Sequence, residues 1–135
     1  MPSRRKSLYV AKEILIGAMS LFLVVIFFRA GMDKMSNDSG WARAFSHWGY
    51  PVWFRIAIGV IEIVAAFFLL VPRTARYGAL LIMATMLGGM FTHIVHDHGR
   101  HLTSELGPLL FSTVIFLARR RDQRLHPFQR RPAAD

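Results

Sequence analysis

The feature that most constrains this chain is a set of four long apolar runs in which no polar face recurs at helical spacing. Ile14 to Phe28 reads ILIGAMSLFLVVIFF, and the stretch between Arg55 and Arg73 is broken only by Glu62. Tyr77 to Thr92 reads YGALLIMATMLGGMFT and continues through His93, Ile94 and Val95, and Leu106 to Ala118 reads LGPLLFSTVIFLA. A helix at the surface of a soluble domain keeps a polar stripe opposite its apolar one, because that side faces water. These runs have no such stripe. Their uninterrupted lengths of 13 to 16 residues fall short of the ~20 that span a hydrocarbon layer. Lys12, Arg29, Arg55, Arg73 and Arg119 sit at their ends and can snorkel, extending the effective length. The expected fold is therefore all-α, an integral membrane four-helix bundle, with a soluble helical bundle as the alternative. The spans are predicted at about 12–30, 53–72, 75–96 and 104–120. They form a single membrane domain over 1–135, with a basic tail over 121–135.

Charge sets the expected orientation. Of 17 Lys and Arg, 12 fall in the N-terminus, the link between spans two and three, and the C-terminal tail, and 5 fall on the opposite side. The positive-inside rule then places both termini in the cytoplasm, as an even number of spans requires. The first span follows Arg4, Arg5 and Lys6 but ends in Phe28-Arg29-Ala30 without a small-x-small cleavage pattern, so it reads as an uncleaved span. The outer segment from Gly31 to Val52 is too long for a tight turn and holds Trp41, Trp48 and Tyr50. Trp41, Phe45 and Trp48 share one face at i, i+4, i+7, predicting a short interfacial helix lying in the membrane plane, capped by Asn37 or Asp38. Gly49-Tyr50-Pro51 ends it. An ordinary aromatic loop is the alternative.

In the third span Ala84 and Gly88, and Thr85 and Gly89, are each four apart, a spacing that lets helices approach closely, and Gly17, Gly59 and Gly107 are expected to serve similarly. Pro108 is expected in the tolerated first turn of span four. The basic tail from Arg119 through Arg131 sets topology and attracts anionic lipid, so nucleic acid is not an expected partner.

Cysteine is absent, which excludes disulfides, CxxC redox centres, thiolate zinc sites and cysteine-held iron–sulfur clusters. No glycine motif for FAD, NAD or phosphate is present.

Several motifs in order resemble one family. Phe28-Arg29-Ala30-Gly31-Met32-Asp33-Lys34-Met35 is similar to the signature that closes the first span of DoxX-like membrane proteins. Gly49-Tyr50-Pro51, Ile58-Gly59-Val60-Ile61-Glu62 and Leu69-Leu70-Val71-Pro72 resemble its second span, and Phe91-Thr92-His93 resembles its third-span histidine. The resemblance covers roughly residues 14 to 118. It departs from the family pattern at the charge of Arg29 and where the third span runs into a histidine cluster. It implies a small four-helix protein of the prokaryotic inner membrane. Some relatives are linked to oxidation of sulfur compounds with quinone as electron acceptor, and most have no assigned activity.

Depth sorts the polar residues. Glu62 lies about nine residues into span two, or ~13 Å at 1.5 Å per residue, near the bilayer middle. A charge there costs roughly 2.5–3.5 kcal/mol on insertion scales, so Glu62 should face the bundle interior and be paired, protonated or hydrated. Arg29 is the best-placed partner by position, Lys34 the next, and His93 can complete a network with Thr92 and Glu105 at the outer ends of their spans. One reading is a buried ion pair that fixes helix register. The other is a polar pocket, open to the outer leaflet, that binds a quinone or another small amphipathic ligand. Glu62 and His93 would then be the catalytic candidates, because quinone reduction consumes protons.

His93, His96 and Asp97 are the residues a metal would use, since i, i+3 and i, i+4 spacing places them on one helix face. The competing reading is a solvated loop whose histidines respond to pH, with Gly99 ending the helix. The resulting function classes are a redox-linked membrane subunit using quinone or a partner's cofactor, a non-catalytic scaffold or assembly factor, and a small-molecule permease. No cofactor other than quinone is expected. The expected partners are the bilayer and a membrane or periplasmic redox protein.

Overall fold

The computed structural model describes residues 3–125, with side chains through 122. The described residues form five helices: α1 (Arg4–Met35), α2 (Gly40–His47), α3 (Val52–Leu70), α4 (Ala75–His96) and α5 (Leu102–Leu125). Among the described residues, α1, α3, α4 and α5 are long and apolar enough to cross a membrane. The all-α four-span architecture and the short helix between spans one and two are thus present. The predicted tail begins inside α5, and Arg130 and Arg131 lie outside the described residues.

The four long helices form a ring in which α1 packs on α3, α3 on α4, α4 on α5, and α5 back on α1. Both termini leave from one end of this ring, and α2 covers the other. The inner seam holds Leu23, Phe27, Ala65, Ala66, Leu69, Ala79, Ile82 and Ile115. The outer surface is apolar on every helix: Leu15, Leu21 and Val25 on α1, Phe67 on α3, Leu87 and Phe91 on α4, Leu110 and Leu117 on α5 are all exposed. A soluble monomer does not leave apolar surface open all the way round, whereas lipid covers it without cost.

Glycine contacts set the spacing of the ring at Gly59, one of the expected positions, and at Gly31 and Gly78, whereas Gly17 and Gly107 meet nothing within 4 Å. A Cβ on Gly31 would lie 2.6 Å from the Gly59 carbonyl oxygen, and one on Gly59 2.8 Å from that of Gly31. Here α1 and α3 cross backbone to backbone. A Cβ on Gly78 would sit 2.6 Å from the Ala65 carbonyl oxygen, so α3 and α4 are equally close near the termini. Gly88 meets nothing within 4 Å, and Gly89 faces only the Glu105 carboxyl group. The Ala84/Gly88 pair therefore leaves space, while Gly89 makes room for the Glu105 carboxyl group of α5.

Two boundaries also differ from expectation. Ser39 caps α2, its hydroxyl accepting from the Ala42 amide at 3.1 Å, because Asn37 is engaged by Arg55 at 2.8 Å. Pro108 is the seventh residue of α5 and lies inside the helix, since α5 starts at Leu102, earlier than hydropathy alone indicates. It removes one backbone donor there.

Candidate functional site

The buried face of α1 repeats at Ile16, Ser20, Leu23, Phe27, Gly31 and Lys34, and that of α3 at Arg55, Gly59, Glu62, Ala65, Ala66 and Leu69. The Gly31–Gly59 crossing therefore carries Lys34 and Glu62 with it. The two helices run antiparallel, and side chains on a helix lean toward its own N-terminus. Lys34 leans inward along the bundle and Glu62 leans toward α2, so they meet. The Lys34 ammonium donates to both Glu62 oxygens, at 3.1 and 2.9 Å. The side chains are 4% and 3% exposed. The same ammonium lies 3.6 Å from the centroid of the Trp41 ring, a cation–π contact.

Arg29 is not part of this arrangement. It stands five residues before Lys34, about 140° away around the helix, and its side chain is exposed. Arg55, expected to snorkel at the end of a span, is 3% exposed. Its guanidinium donates to the carbonyls of Lys34, at 2.6 Å, and Ser36, and to Asn37 Oδ1. These are the orphan acceptors at the C-terminus of α1, where a cation also opposes the helix dipole. Arg55 thereby holds the backbone that carries Lys34.

Beside the ion pair is a cavity of about 390 Å³ between α3, α4 and α2. Glu62, Lys34, His93, Thr92 and Glu105 supply its polar wall, and Trp41, Phe45, Trp48, Tyr50 and Phe54 supply its aromatic one. Ile61, Ala84, Gly88 and Phe91 line it and are exposed on the apolar outer surface, so the cavity opens sideways between α3 and α4. The Trp41–Phe45–Trp48 stripe of α2 faces inward and roofs the cavity. Its partners in the Phe45, Tyr50 and Phe54 cluster stand 5.0–6.2 Å apart, centroid to centroid.

The polar wall is only partly satisfied. The Thr92 hydroxyl donates to the Gly88 carbonyl at 3.0 Å, so the Tyr50 hydroxyl donates to Thr92 at 3.1 Å. His93 Nδ1 lies 2.8 Å from Asp97 Oδ2, and Trp48 Nε1 donates to both Asp97 oxygens. These two donors hold the Asp97 carboxyl below its ordinary value, the His93 bond being the larger cause. Glu105 is 9% exposed, and His93 Nε2 stands 3.8 Å from its Oε1. Among the described residues it accepts no hydrogen bond.

His93, His96 and Asp97 do not converge. α4 ends at His96, Asp97 is its C-cap, and the Gly99 amide (φ +78°) closes onto the His93 carbonyl at 2.9 Å. His96 is exposed, with Nδ1 on the Thr92 carbonyl at 3.2 Å. Among the described residues no three His, Asp or Glu side chains are grouped to hold a metal ion.

The structure thus brings together Lys34, Glu62, Thr92, His93 and Glu105. It adds Arg55, Trp41, Trp48 and Tyr50, which sequence reading assigned to span ends or to the membrane surface. One signal was available for Arg55: it is i, i+4 from Gly59 and on the face of Glu62.

The chain is similar to the uncharacterized protein YwoB of Bacillus subtilis (strain 168), with 27% identity over 115 residues that cover 75% of each chain. No solved structure matches it. The model of the DoxX-like family matches residues 18–117, from within the first span to within the fourth, and includes every residue of the polar wall. As that match covers most of the sequence, this chain belongs to the DoxX-like family.

Proposed function

We propose that this protein binds a quinone, or an amphipathic molecule of similar size, in the cavity under α2, and acts as a quinone-linked subunit of a membrane oxidoreductase system. The observation that carries the reading is Glu105. A carboxyl group that is nine-tenths buried and accepts no hydrogen bond is costly unless something else meets it. It stands on the wall of an apolar space in the size range of small-molecule sites, roughly 300–1,000 Å³.

The residues fit such a ligand. The aromatic wall offers faces for a flat ring. His93 and Lys34 offer hydrogens to carbonyl oxygens, and the sideways mouth at Ala84 and Gly88 suits a molecule dissolved in the bilayer. A bound quinone supplies redox chemistry that takes up protons. The chain's own residues then orient the ring, exclude water, and hold protons at His93 and Glu105, with Glu62 neutralised by Lys34. Because the sequence has no cysteine and no nucleotide motif, a membrane or periplasmic partner is the proposed electron donor. The charge count supports cytoplasmic termini with α2 outside, and the resemblance to DoxX-like proteins supports a prokaryotic inner-membrane setting.

The nearly complete burial of the Lys34–Glu62 pair favours a second reading, a non-catalytic scaffold in which the pair fixes helix register. The two readings part in one experiment. The full chain, with Trp53→Phe to silence the exposed tryptophan, is purified in mild detergent and titrated with ubiquinone-1. Saturable quenching of Trp41 and Trp48 fluorescence is expected, and should be lost in Gly88→Phe, which closes the mouth. Absence of quenching, together with a native mass spectrum showing a protein partner and no quinone, would overturn the quinone reading in favour of the scaffold.

A further inference from the structure

A second recess at the α2 end, about 670 Å³, lies on the other side of His93. Asp33, Arg43, His47, Asp97 and His101 give it a polar lining. It shares only Trp41, Trp48 and His93 with the cavity, and His93 is the one titratable side chain that borders both. The two tryptophans seal the rest of the partition.

The orientation of the imidazole is informative. Asp97, with its carboxyl held low, is an acceptor, so His93 Nδ1 carries the hydrogen between them. Nε2 then points toward Glu105, 3.8 Å away. If His93 were neutral and Glu105 ionised, two lone pairs would face each other inside the bundle. One proton between them removes that conflict, whether it sits on Nε2 or on the carboxyl group. The charged and titratable neighbours are consistent with a single shared proton. Asp97 lies on the α4 cap, Glu105 on α5 and His101 in the linker, its ring centroid 5.6 Å from that of His93. Trp48 packs edge-on at 5.2 Å. Lys34 and Glu62 across the cavity already neutralise each other, and Asp33 and His47 lie beyond Asp97 in the cleft.

We propose that His93 is a proton-transfer residue that connects the polar cleft to Glu105 in the membrane-facing cavity. With Nδ1–H held on Asp97, the imidazolium passes its Nε2 hydrogen to Glu105, and the bare Nε2 then regains a proton from the cleft when the ring turns toward it. The Glu105 oxygen stands about 0.6 Å beyond hydrogen-bond range and closes that gap by side-chain rotation. Each proton that leaves Nε2 for Glu105 is thus replaced by one from the cleft, the ring returns to its starting state, and no electron moves. This deepens the proposed function, on which its purpose rests, by giving the cavity a route for the protons that quinone reduction consumes. The route itself can be tested without a quinone.

The full chain in detergent is given a light-triggered pH drop from a caged proton, and the Glu105 carboxylate band is followed by time-resolved infrared spectroscopy. The band is assigned by its loss in Glu105→Gln. In His93→Ala the Glu105 response should slow by at least ~10-fold, as expected for removal of a proton-transfer group, and added imidazole should restore most of the rate. His93→Gln, which keeps a donor for Asp97 but cannot relay a proton, should also be slow. Equal rates in the wild type and in either His93 variant would overturn the proposal, as would a wild-type Glu105 band that never responds, or a slow His93→Ala that imidazole leaves unchanged. Failure of ubiquinone-1 to quench fluorescence while the relay operates would sink the quinone reading alone.

Discussion

Both ends of the bundle hold ion pairs between distant segments, and they hold them differently. At the end that carries the termini, Lys12 reaches Asp122 at 2.8 Å, and Arg119 reaches Glu13 at 2.9 Å and Asp122 at 3.3 Å. Three of these side chains are 25–39% exposed, and only Arg119 is buried. At the α2 end, Lys34 and Glu62 are both almost fully buried beside a cavity, with Glu105 nearby and no hydrogen bond to it among the described residues. Exposed pairs are cheap to form and stabilise little. Buried pairs are expensive to form, and breaking one strands a charge. The terminal network fastens helix ends. The charges at the α2 end are retained at an energetic cost, which is the behaviour of a site.

The largest expected effect tests that distinction directly. Lys34→Met leaves Glu62 without its cation and should destabilise the bundle by ~3–5 kcal/mol, read by thermal unfolding in detergent. Adding Glu62→Leu should recover most of the loss, because the desolvation cost disappears with the second charge. A single-mutant loss no larger than that of an exposed pair would erase the difference between the two ends.

Next is the crossing that creates the pair. Gly59→Ala forces a methyl group to within 2.8 Å of the Gly31 carbonyl oxygen, so α1 and α3 must separate, at ~1–3 kcal/mol. Gly88→Ala, in open space, should be neutral or stabilising by up to ~1 kcal/mol through helix propensity. Equal effects at both positions would mean that the space beside Gly88 is not there.

At the terminal end, Lys12→Ala should cost no more than ~1 kcal/mol, and the difference should shrink further in high salt. The smallest effect concerns Asp97. Its folded-state value is below the ordinary 3.8, so its contribution is present above the unfolded value and is lost as pH falls through the folded one. Trp48 fluorescence, which reports the indole–carboxylate bond, should change only on that acid side. Asp97→Asn should remove the change.

Much of this molecule is legible in its sequence. The spans can be read because lipid tolerates apolar surface on all sides of a helix, so hydropathy alone marks them. Glu62 can be read because a lone carboxylate in an apolar run must be met by something. Its partner was harder to identify. Depth ranks Arg29 ahead of Lys34, and the five-residue difference that reverses this order matters only once helix phase is known. Gly31, three residues before Lys34, carried that phase, but its meaning depends on Gly59 being opposite. The aromatic stripe of α2 shows the same limit: a row of Trp and Phe faces lipid or roofs a cavity with identical spacing.

The sequence by itself determined four spans, a short helix between the first two, and a carboxylate that could not stand alone. These follow from local hydropathy and from the cost of burying charge. The tertiary structure alone decided which cation meets Glu62, that Ala84 and Gly88 leave an opening where they might have joined two helices, and that His93 stands between two recesses. Those outcomes depend on how α1, α3, α4 and α5 are phased around their own axes. That phase is set by backbone contact at Gly31, Gly59 and Gly78, which no single helix carries in its own sequence.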